Sequence, residues 1–225
     1  ASAAVAACEA AGIRVLMLTG DHASTASAIA ALVGIDGGGE TIEGRQIEAA
    51  SDEDLDKIVS RARIYARVAP NHKLRIVEAL RRRGEVVAVT GDGVNDAPAL
   101  RAADIGVAMG MRGTDVAKEA SDLVVTDDNI ATIVSAVEEG RVVFDNVRKV
   151  TFFLLSTGIA VVIAVFVTLI GGFPLPLLPA QIIWVNLVTN GVQDIALAFE
   201  PGEADVLKKR PRPIGEGAIS RVLWE

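Results

Sequence analysis

Hydrophobic and polar positions divide the chain into two unlike parts. Up to residue 149, short apolar runs alternate with segments in which apolar residues recur every three or four positions. Between residues 150 and 193, by contrast, the sequence has no charged residue. The first pattern predicts alternating strands and helices, and the second predicts helices in an apolar environment.

Five apolar runs in the first part predict β-strands, and the segments between them predict α-helices. The strands are expected at residues 13–18, 63–66, 86–89, 105–109 and 123–125, and the helices at about 24–33, 53–60, 71–82, 96–102 and 114–119. Repeated strand–helix units with apolar strands are typical of a parallel sheet covered by helices on both faces. We therefore expect a doubly wound, Rossmann-like α/β fold over residues 1–128.

The uncharged part predicts a transmembrane helical hairpin over residues 150–200. At about 1.5 Å per residue, the apolar run from 150 to 170 extends roughly 30 Å as a helix, which is the thickness of a bilayer core. Glycines and prolines at 171–179 turn the chain, and a second apolar run follows at 180–199. Residues 129–149 are then a linking stalk helix, and residues 201–225 a loop. The alternative is a buried helical hairpin in a soluble protein.

Basic residues lie at the two outer ends of the hairpin, which are on the same side of the membrane. They are absent from the loop between the two apolar runs and occur at Arg148, Lys149, Lys208, Lys209, Arg210 and Arg212. The positive-inside rule places both flanks, and with them the α/β domain, in the cytoplasm. We therefore expect an integral, multi-pass membrane protein, most simply of the cell (plasma) membrane.

Composition agrees with this division and excludes several classes of protein. The 225 residues are 51% hydrophobic and 23% charged, and the mean hydropathy of +0.40 is high for so many charges. The average thus combines a polar part with an apolar part. The net charge of −7 argues against a nucleic-acid partner, and the single cysteine, Cys8, excludes an internal disulfide.

Polar residues collect where predicted strands end. Two of these strands end in the tripeptide Thr-Gly-Asp, at residues 19–21 and 90–92. Glycine lets the backbone approach a ligand closely, and the following amides can face an anion. Asp92 and Asp96 together suit Mg²⁺, and Lys73 can neutralise a phosphoryl group. Since ligands bind beyond the carboxyl ends of parallel strands, these residues predict a phosphoryl-transfer site without a nucleophile, although each alone could be a turn or helix-cap residue.

Four segments carry a resemblance to a known family. MLTGDHASTASAIA, ARVAPNHKLRIVEAL, VTGDGVNDAPALRAADIGVAMG and IIWVNLVTNGVQDIALAFEP resemble cation-transporting P-type ATPases. The resemblance covers essentially the whole chain, and TGDGVNDAPAL is its most specific motif. It implies the C-terminal part of a phosphorylation domain with a haloacid-dehalogenase-type fold, followed by the fifth and sixth membrane helices.

The same resemblance implies roles for individual residues. Thr19 and Gly20 would contact the phosphoryl group, with Asp21 shaping the loop beside it. Lys73 would pair with an aspartyl phosphate, and Arg67 would reach the phosphates of ATP.

Further implied roles concern the metal and the nucleophile. Asp92, together with Asp96, would hold Mg²⁺, and Asn95 and Asp96 would complete the hydrogen bonding. The family's nucleophile is the Asp of a DKTGT motif, which does not occur in this sequence. We therefore expect a fragment that cannot turn over ATP by itself.

The second apolar run carries a polar face. Asn186, Thr189, Asn190 and Asp194 lie on one side of a helix, and polar groups at membrane depth usually face a pathway or a partner helix. They are candidates for binding the transported ion, although they could also simply join helices. In calcium pumps this helix reads N-x-x-T-D, so Asn190 replaces an acidic ligand, and a typical two-site calcium pump is not expected. A single divalent ion, Na⁺ or a proton remain open.

The leading hypothesis is ATP-driven cation transport through an aspartyl-phosphate intermediate, with this chain as one part of the pump. The partners would be the cation, ATP, the lipid bilayer and the rest of the same polypeptide, and the cofactors Mg²⁺ and ATP. Two alternatives remain: a membrane-anchored phosphohydrolase of the haloacid-dehalogenase superfamily, or a non-catalytic truncated paralogue that regulates an intact pump.

Overall fold

The computed structural model describes residues 1–35, 40–217 and 219, except for the side chain of Thr189. The chain forms two compact units. The first contains residues 1–136 and 207–214, and the second contains residues 137–206 and the described residues from Gly215 onward.

Strands and helices alternate along the first unit. Its strands are β1 (Met17–Leu18), β2 (Thr41–Glu43), β3 (Ile64–Ala66), β4 (Ala88–Gly91), β5 (Ile105–Met109) and β6 (Leu123–Val125). Its helices are α1 (Ser2–Ala10), α2 (Ala23–Val33), α3 (Gly44–Ala49), α4 (Asp52–Arg61), α5 (Pro70–Arg82), α6 (Ala97–Ala102) and α7 (Asp115–Glu119), with a 3₁₀ turn at Val94–Asp96. All five predicted strands are present, whereas β2, α1 and α3 were not predicted.

The six strands form two parallel sheets of three strands each, in the orders β1-β3-β2 and β4-β5-β6. Ile64 of β3 pairs with Met17 on one side and Thr41 on the other. The predicted parallel α/β architecture is thus confirmed, with its strands arranged in two sheets. β1 and β4 are edge strands, so one side of each has backbone N–H and C=O groups without a ladder partner in the described chain.

The main hydrophobic core contacts both sheets. Tyr65 of β3 is fully buried, and Leu55 of α4 and Ile76 of α5 belong to the same cluster. Leu18 of β1 and Val89 of β4 pack against this cluster. One core therefore supports both edge strands, and it orients their carboxyl ends, where the candidate site lies.

Outside the core, local signals set the helix ends. α4 begins where the hydroxyl oxygen of Ser51 accepts a hydrogen bond from the Asp54 N–H, at 3.2 Å. Such an N-cap stabilises a protein by about 1 kcal/mol. α5 begins with Pro70, whose missing N–H is not needed in a first turn. As a result α5 starts only a few residues after β3 ends, which places its first turn at the carboxyl edge.

A single helix, α8 (Ile130–Ile170), contains both the predicted stalk and the first predicted span. It is the one described helix that is long and apolar enough to cross a membrane. The second apolar run forms α9 (Pro179–Trp184), a π-helical turn (Val185–Asn190) and α10 (Gly191–Ala198). A 3₁₀ turn follows at Val206–Lys208.

Asn146 is the buried residue of α8, with 4% of its surface exposed. Its side-chain amide donates to the carbonyl oxygens of Ala198, at 3.2 Å, and Glu200, at 2.8 Å. Lys149 Nζ lies 2.6 Å from Glu200 Oε2. These bonds join α8 to the end of α10, where several carbonyl groups have no partner within the helix.

Candidate active site

The loop after β1 holds the first Thr-Gly-Asp tripeptide. The Thr19 N–H donates to the Tyr65 carbonyl of β3 at 2.9 Å, which continues the sheet pairing into the loop. The Thr19 hydroxyl donates to Asp21 Oδ2 at 3.0 Å and accepts the Asp21 N–H at 3.2 Å. Asp21 therefore shapes the loop. An added Cβ at Gly20 meets no atom within 4 Å, so this backbone is open to a ligand.

The loop after β4 folds back on the end of its own strand. The 3₁₀ turn brings the Asp96 carboxylate over Gly91, where a Cβ would lie 2.6 Å from the Asp96 Cβ. Glycine at 91 is therefore required by this close approach. Asp96 Oδ2 accepts the N–H groups of Asp92, at 3.3 Å, and Gly93, at 3.2 Å. The loop thus fixes the carboxylate of a residue that is 7% exposed.

Lys73 links the helix that follows β3 to the loop that follows β4. It lies in the first turn of α5, and its Nζ is 2.6 Å from Asp96 Oδ1. The neighbouring His72 is buried, and its Nδ1 accepts the Ala69 N–H at 3.2 Å, which fixes the start of the helix. Lys73 and Asp96, 23 residues apart in sequence, are therefore brought into direct contact.

Asp92 and Asn95 differ from Asp96 in being exposed. The Asp92 carbonyl accepts the Thr114 N–H at 2.9 Å, while its carboxylate has no bonded partner among the described residues. Mg²⁺ typically takes one or two carboxylates together with phosphate oxygens and water. Asp92 fits this role. Both oxygens of Asp96 already accept N–H groups, so the geometry gives Asp96 the task of orienting Lys73.

No group of three or more His, Cys, Asp or Glu side chains in the described part could hold a metal. A magnesium ion at Asp92 would therefore need phosphate, water or residues from elsewhere in the polypeptide to complete its ligands. That two carboxylates of this loop bind Mg²⁺ stays a prediction.

Arg67 follows β3 and has an unusual backbone. Its φ of 51° lies in the left-handed region, which costs a residue with a Cβ on the order of 1 kcal/mol. Its N–H donates to the Asp21 carbonyl at 2.9 Å, and the next N–H, of Val68, donates to the Thr19 carbonyl at 3.0 Å. A side chain at Gly44 would collide with the Arg67 carbonyl. These contacts tie Arg67 to the loop after β1.

Asp128 braces a third loop. It has a φ of 51°, and its carboxylate accepts the N–H groups of Met111 and Arg112, each at 2.9 Å. The Met111 N–H, and then that of Arg112, holds the pKa of Asp128 below its ordinary value. The braced loop leads to Thr114, which bonds the Asp92 carbonyl. The sequence patterns did not indicate this role for Asp128.

The second candidate site lies in the π-helical turn. Asn190 Nδ2 donates to Asn186 Oδ1 at 3.1 Å, so these two predicted residues are in contact. Asp194 lies one turn further along, and its buried Oδ1 has no hydrogen-bond partner in the described structure. The Thr189 side chain lies outside the described part. A buried polar atom without a partner is rare and indicates a missing one.

Family profiles match three segments of the sequence. Profiles described as haloacid dehalogenase-like hydrolase match residues 1–104 and 72–137. A profile described as the C-terminus of cation transporting ATPases matches residues 174–225. The parallel sheets with their helices are therefore those of a haloacid dehalogenase-like domain, as predicted.

Nearly the whole chain is similar to cation-transporting ATPases. It is 48% identical over 224 residues to the calcium-transporting ATPase of Bacillus subtilis, an alignment that covers 99% of this chain and 25% of that protein. It is 50% identical over 217 residues to the probable cation-transporting ATPase F of Mycobacterium tuberculosis, covering 94% of this chain and 24% of that protein. It is 47% identical over 217 residues to the endoplasmic reticulum calcium ATPase srcA of Aspergillus fumigatus, covering 94% of this chain and 22% of that protein.

These similarities confirm the recognition of a cation-transporting P-type ATPase segment. The chain spans about a quarter of the length of the curated relatives it matches. These relatives are named as calcium or cation-transporting ATPases, which agrees with the class of function that the motifs predicted.

Proposed function

We propose that this chain supplies half of the phosphoryl-transfer site and a pair of membrane helices to an ATP-driven cation pump that works through an aspartyl phosphate. The observation that carries the proposal is the contact of Lys73 Nζ with Asp96 Oδ1 at 2.6 Å, in the loop that follows the second Thr-Gly-Asp tripeptide. A fixed lysine cation suits a phosphoryl group whose charge must be neutralised, and the open Gly20 backbone and the Thr19 hydroxyl can supply further donors.

Each residue of this site has a task in the proposed reaction. The Thr19 hydroxyl and the Gly20 N–H bind phosphoryl oxygens, and Lys73 neutralises their charge. Asp96 orients the Lys73 ammonium, and Asp92 holds Mg²⁺, which when bound supplies further positive charge to the phosphates. Asn95 lies exposed beside Asp92, where its amide can donate to the same oxygens.

The nucleophile must come from outside this chain, and the two edge strands indicate where. Among the described residues, β1 and β4 each pair with one strand only, and each leads into a Thr-Gly-Asp tripeptide. Arg14, before β1, is 2.8 Å from Glu85, before β4, so their amino ends are close together. We propose that a strand from the remainder of the same polypeptide lies between them and ends in the nucleophilic Asp.

The membrane part is proposed to bind the cation. Residues 150–170 of α8 and the run 180–199 would cross the bilayer as a hairpin, in a multi-pass protein of the cell membrane with the first unit in the cytoplasm. The Asp194 oxygen that has no hydrogen-bond partner among the described residues and the Asn186–Asn190 pair support a cation site at this level. The sequence pattern adds Thr189 to this set. Relatives are named calcium-transporting or cation-transporting, so Ca²⁺ is the first ion to test.

The test uses the complete polypeptide that contains this chain, reconstituted in lipid vesicles. We expect ATP hydrolysis that depends on Mg²⁺ and on one cation, together with movement of that cation across the membrane. Lys73→Met should abolish both activities, whereas Lys57→Ala, which removes a surface lysine that is 74% exposed, should preserve both. Hydrolysis that no cation stimulates would contradict the proposal and favour a phosphohydrolase.

A further inference from the structure

His22 occupies a helix-capping position without capping the helix. It is the N-cap residue of α2, with an extended backbone at φ −65° and ψ 151°, and its side chain accepts no hydrogen bond from the first turn. Residues preferred at this position accept such a bond through a short oxygen-bearing side chain. The imidazole points elsewhere instead, and its Nδ1 lies 2.7 Å from Arg67 Nη2.

Contacts fix both the backbone and the guanidinium of Arg67. Its left-handed backbone is tied to the loop after β1 through the Asp21 carbonyl, and its own carbonyl lies against Gly44. At the other end, its guanidinium meets His22. Strained backbone of this kind persists only where surrounding contacts determine it, and it is concentrated at functional positions.

The Arg67 guanidinium has N–H donors that bond no described residue. No carboxylate lies within 4.0 Å of the Arg67 guanidinium in the described chain, whereas Arg14, Arg63 and Arg75 all form ion pairs. A guanidinium has five N–H donors and no acceptor, so the imidazole must accept at an unprotonated Nδ1. The other donors of Arg67 have no partner among the described residues and remain available to an anion.

We propose that His22 is a positioning residue for nucleotide binding. Its Nδ1 accepts a hydrogen bond from Arg67 and holds the guanidinium beside the Thr19–Asp21 loop, so that the remaining donors meet phosphate oxygens of ATP. This inference rests on the proposed function, because the nucleotide is the substrate of the pump. His22 itself touches neither the phosphate nor the nucleophile.

Two substitutions at His22 separate positioning from capping. His22→Ser supplies a good helix cap but cannot reach the guanidinium, whereas His22→Gln supplies an acceptor that reaches it but is a poor cap. In the complete pump, His22→Ser should raise the KM for ATP by about three- to tenfold, as expected for loss of one exposed charge-assisted hydrogen bond. Its kcat should stay within about twofold, and His22→Gln should keep both constants near the wild type.

Arg67→Ala provides the matching background. If His22 acts through Arg67, adding His22→Ser to Arg67→Ala leaves the KM unchanged. A thermal midpoint of His22→Ser at or above that of the wild type shows that folding is not the cause. A normal KM in His22→Ser, or an effect that persists in Arg67→Ala, overturns the inference alone. A complete polypeptide that hydrolyses no ATP overturns the proposed function and this inference with it.

Discussion

The two candidate sites differ in how far this chain completes them. At the carboxyl edge of the first unit, side chains from separate elements already bond one another, as in the Lys73–Asp96 and His22–Arg67 contacts. On the polar face of the second unit, all the candidates lie on one helical run, and an Asp194 oxygen has no described partner. The first candidate site is therefore organised by contacts within this chain, whereas the second has a buried polar atom without a partner among the described residues.

The largest effect is expected from breaking the organised site. Asp96→Asn keeps an oxygen for the backbone amides but removes the charge that orients Lys73. Loss of one preorganised electrostatic contact typically lowers kcat by about 10²–10³-fold, and we expect a loss of that size in the ATPase rate of the complete pump. Asp56→Asn, which affects only a surface pair with Arg82, is the matched control and should change the rate by less than about twofold.

The complementary change is made in the membrane site. Asp194→Asn replaces a carboxylate by a neutral amide of nearly the same shape, so cation affinity should fall by about tenfold or more. The measurement is the cation concentration that half-maximally stimulates ATPase activity. Val192→Ala, on an exposed side chain nearby, should leave that concentration unchanged. An unchanged cation dependence in Asp194→Asn would show that the polar face only joins helices.

A backbone change tests how tightly the first site is packed. Gly44→Ala places a Cβ against the Arg67 carbonyl and His72, and such overpacking costs about 1–3 kcal/mol of unfolding free energy. A Cβ added by Gly140→Ala, in α8, meets no atom within 4 Å. It should be neutral or stabilise by up to about 1 kcal/mol, because alanine favours helix. Urea unfolding of the full chain in detergent, followed by circular dichroism, distinguishes the two.

The smallest effect concerns acid stability. The pKa of Asp127 is lowered first by the hydrogen bond from Thr132 and next by the one from the Asn129 N–H. The pKa of Asp128 is lowered first by the hydrogen bond from the Met111 N–H and next by the one from the Arg112 N–H. A carboxyl whose pKa is lowered in the folded state stabilises the fold above its unfolded pKa of about 3.9 and loses that contribution as the pH falls through the lower folded value. The unfolding midpoint of the chain should therefore decrease as the pH is lowered from 6 to 2.5.

The Asp128→Asn variant is the test of this pH dependence. Its midpoint should fall less steeply on acidification than that of the wild type, because the uncharged side chain no longer titrates. An identical pH profile would mean that the bonds to the loop after β5 do not persist in solution.

Local pattern predicted much of the first unit, and in the second it predicted the helical runs but not the π-helical turn. β5 and β6 have the expected bounds because their apolar runs are uninterrupted, whereas β2 was missed because Ile42 is the single apolar residue in a strand of three. Lys73 and Asp96 were placed at the same edge because parallel strands share a carboxyl end. The contact itself depends on the turn that folds Asp96 back over Gly91.

Most features set by tertiary structure left no pattern in the sequence. The left-handed backbone of Arg67 depends on the loop after β1 and on Gly44, which are distant in sequence. The π-helical turn at Val185–Asn190 has the same spacing of polar residues as an α-helix, so periodicity could not distinguish the two. His22 carried one usable signal, namely a histidine at a position where a short capping side chain is usual.

Phosphoenzyme formation from radiolabelled ATP tests the central claim most directly, because the claim is that this chain holds an organised half of a phosphoryl-transfer site. The complete polypeptide should form an acid-stable, hydroxylamine-sensitive phosphoenzyme when Mg²⁺ and its cation are present, and Asp96→Asn should not. The 225-residue chain alone should incorporate no label. Label on the isolated chain, or equal labelling of the complete polypeptide with and without the Lys73–Asp96 pair, would contradict the account.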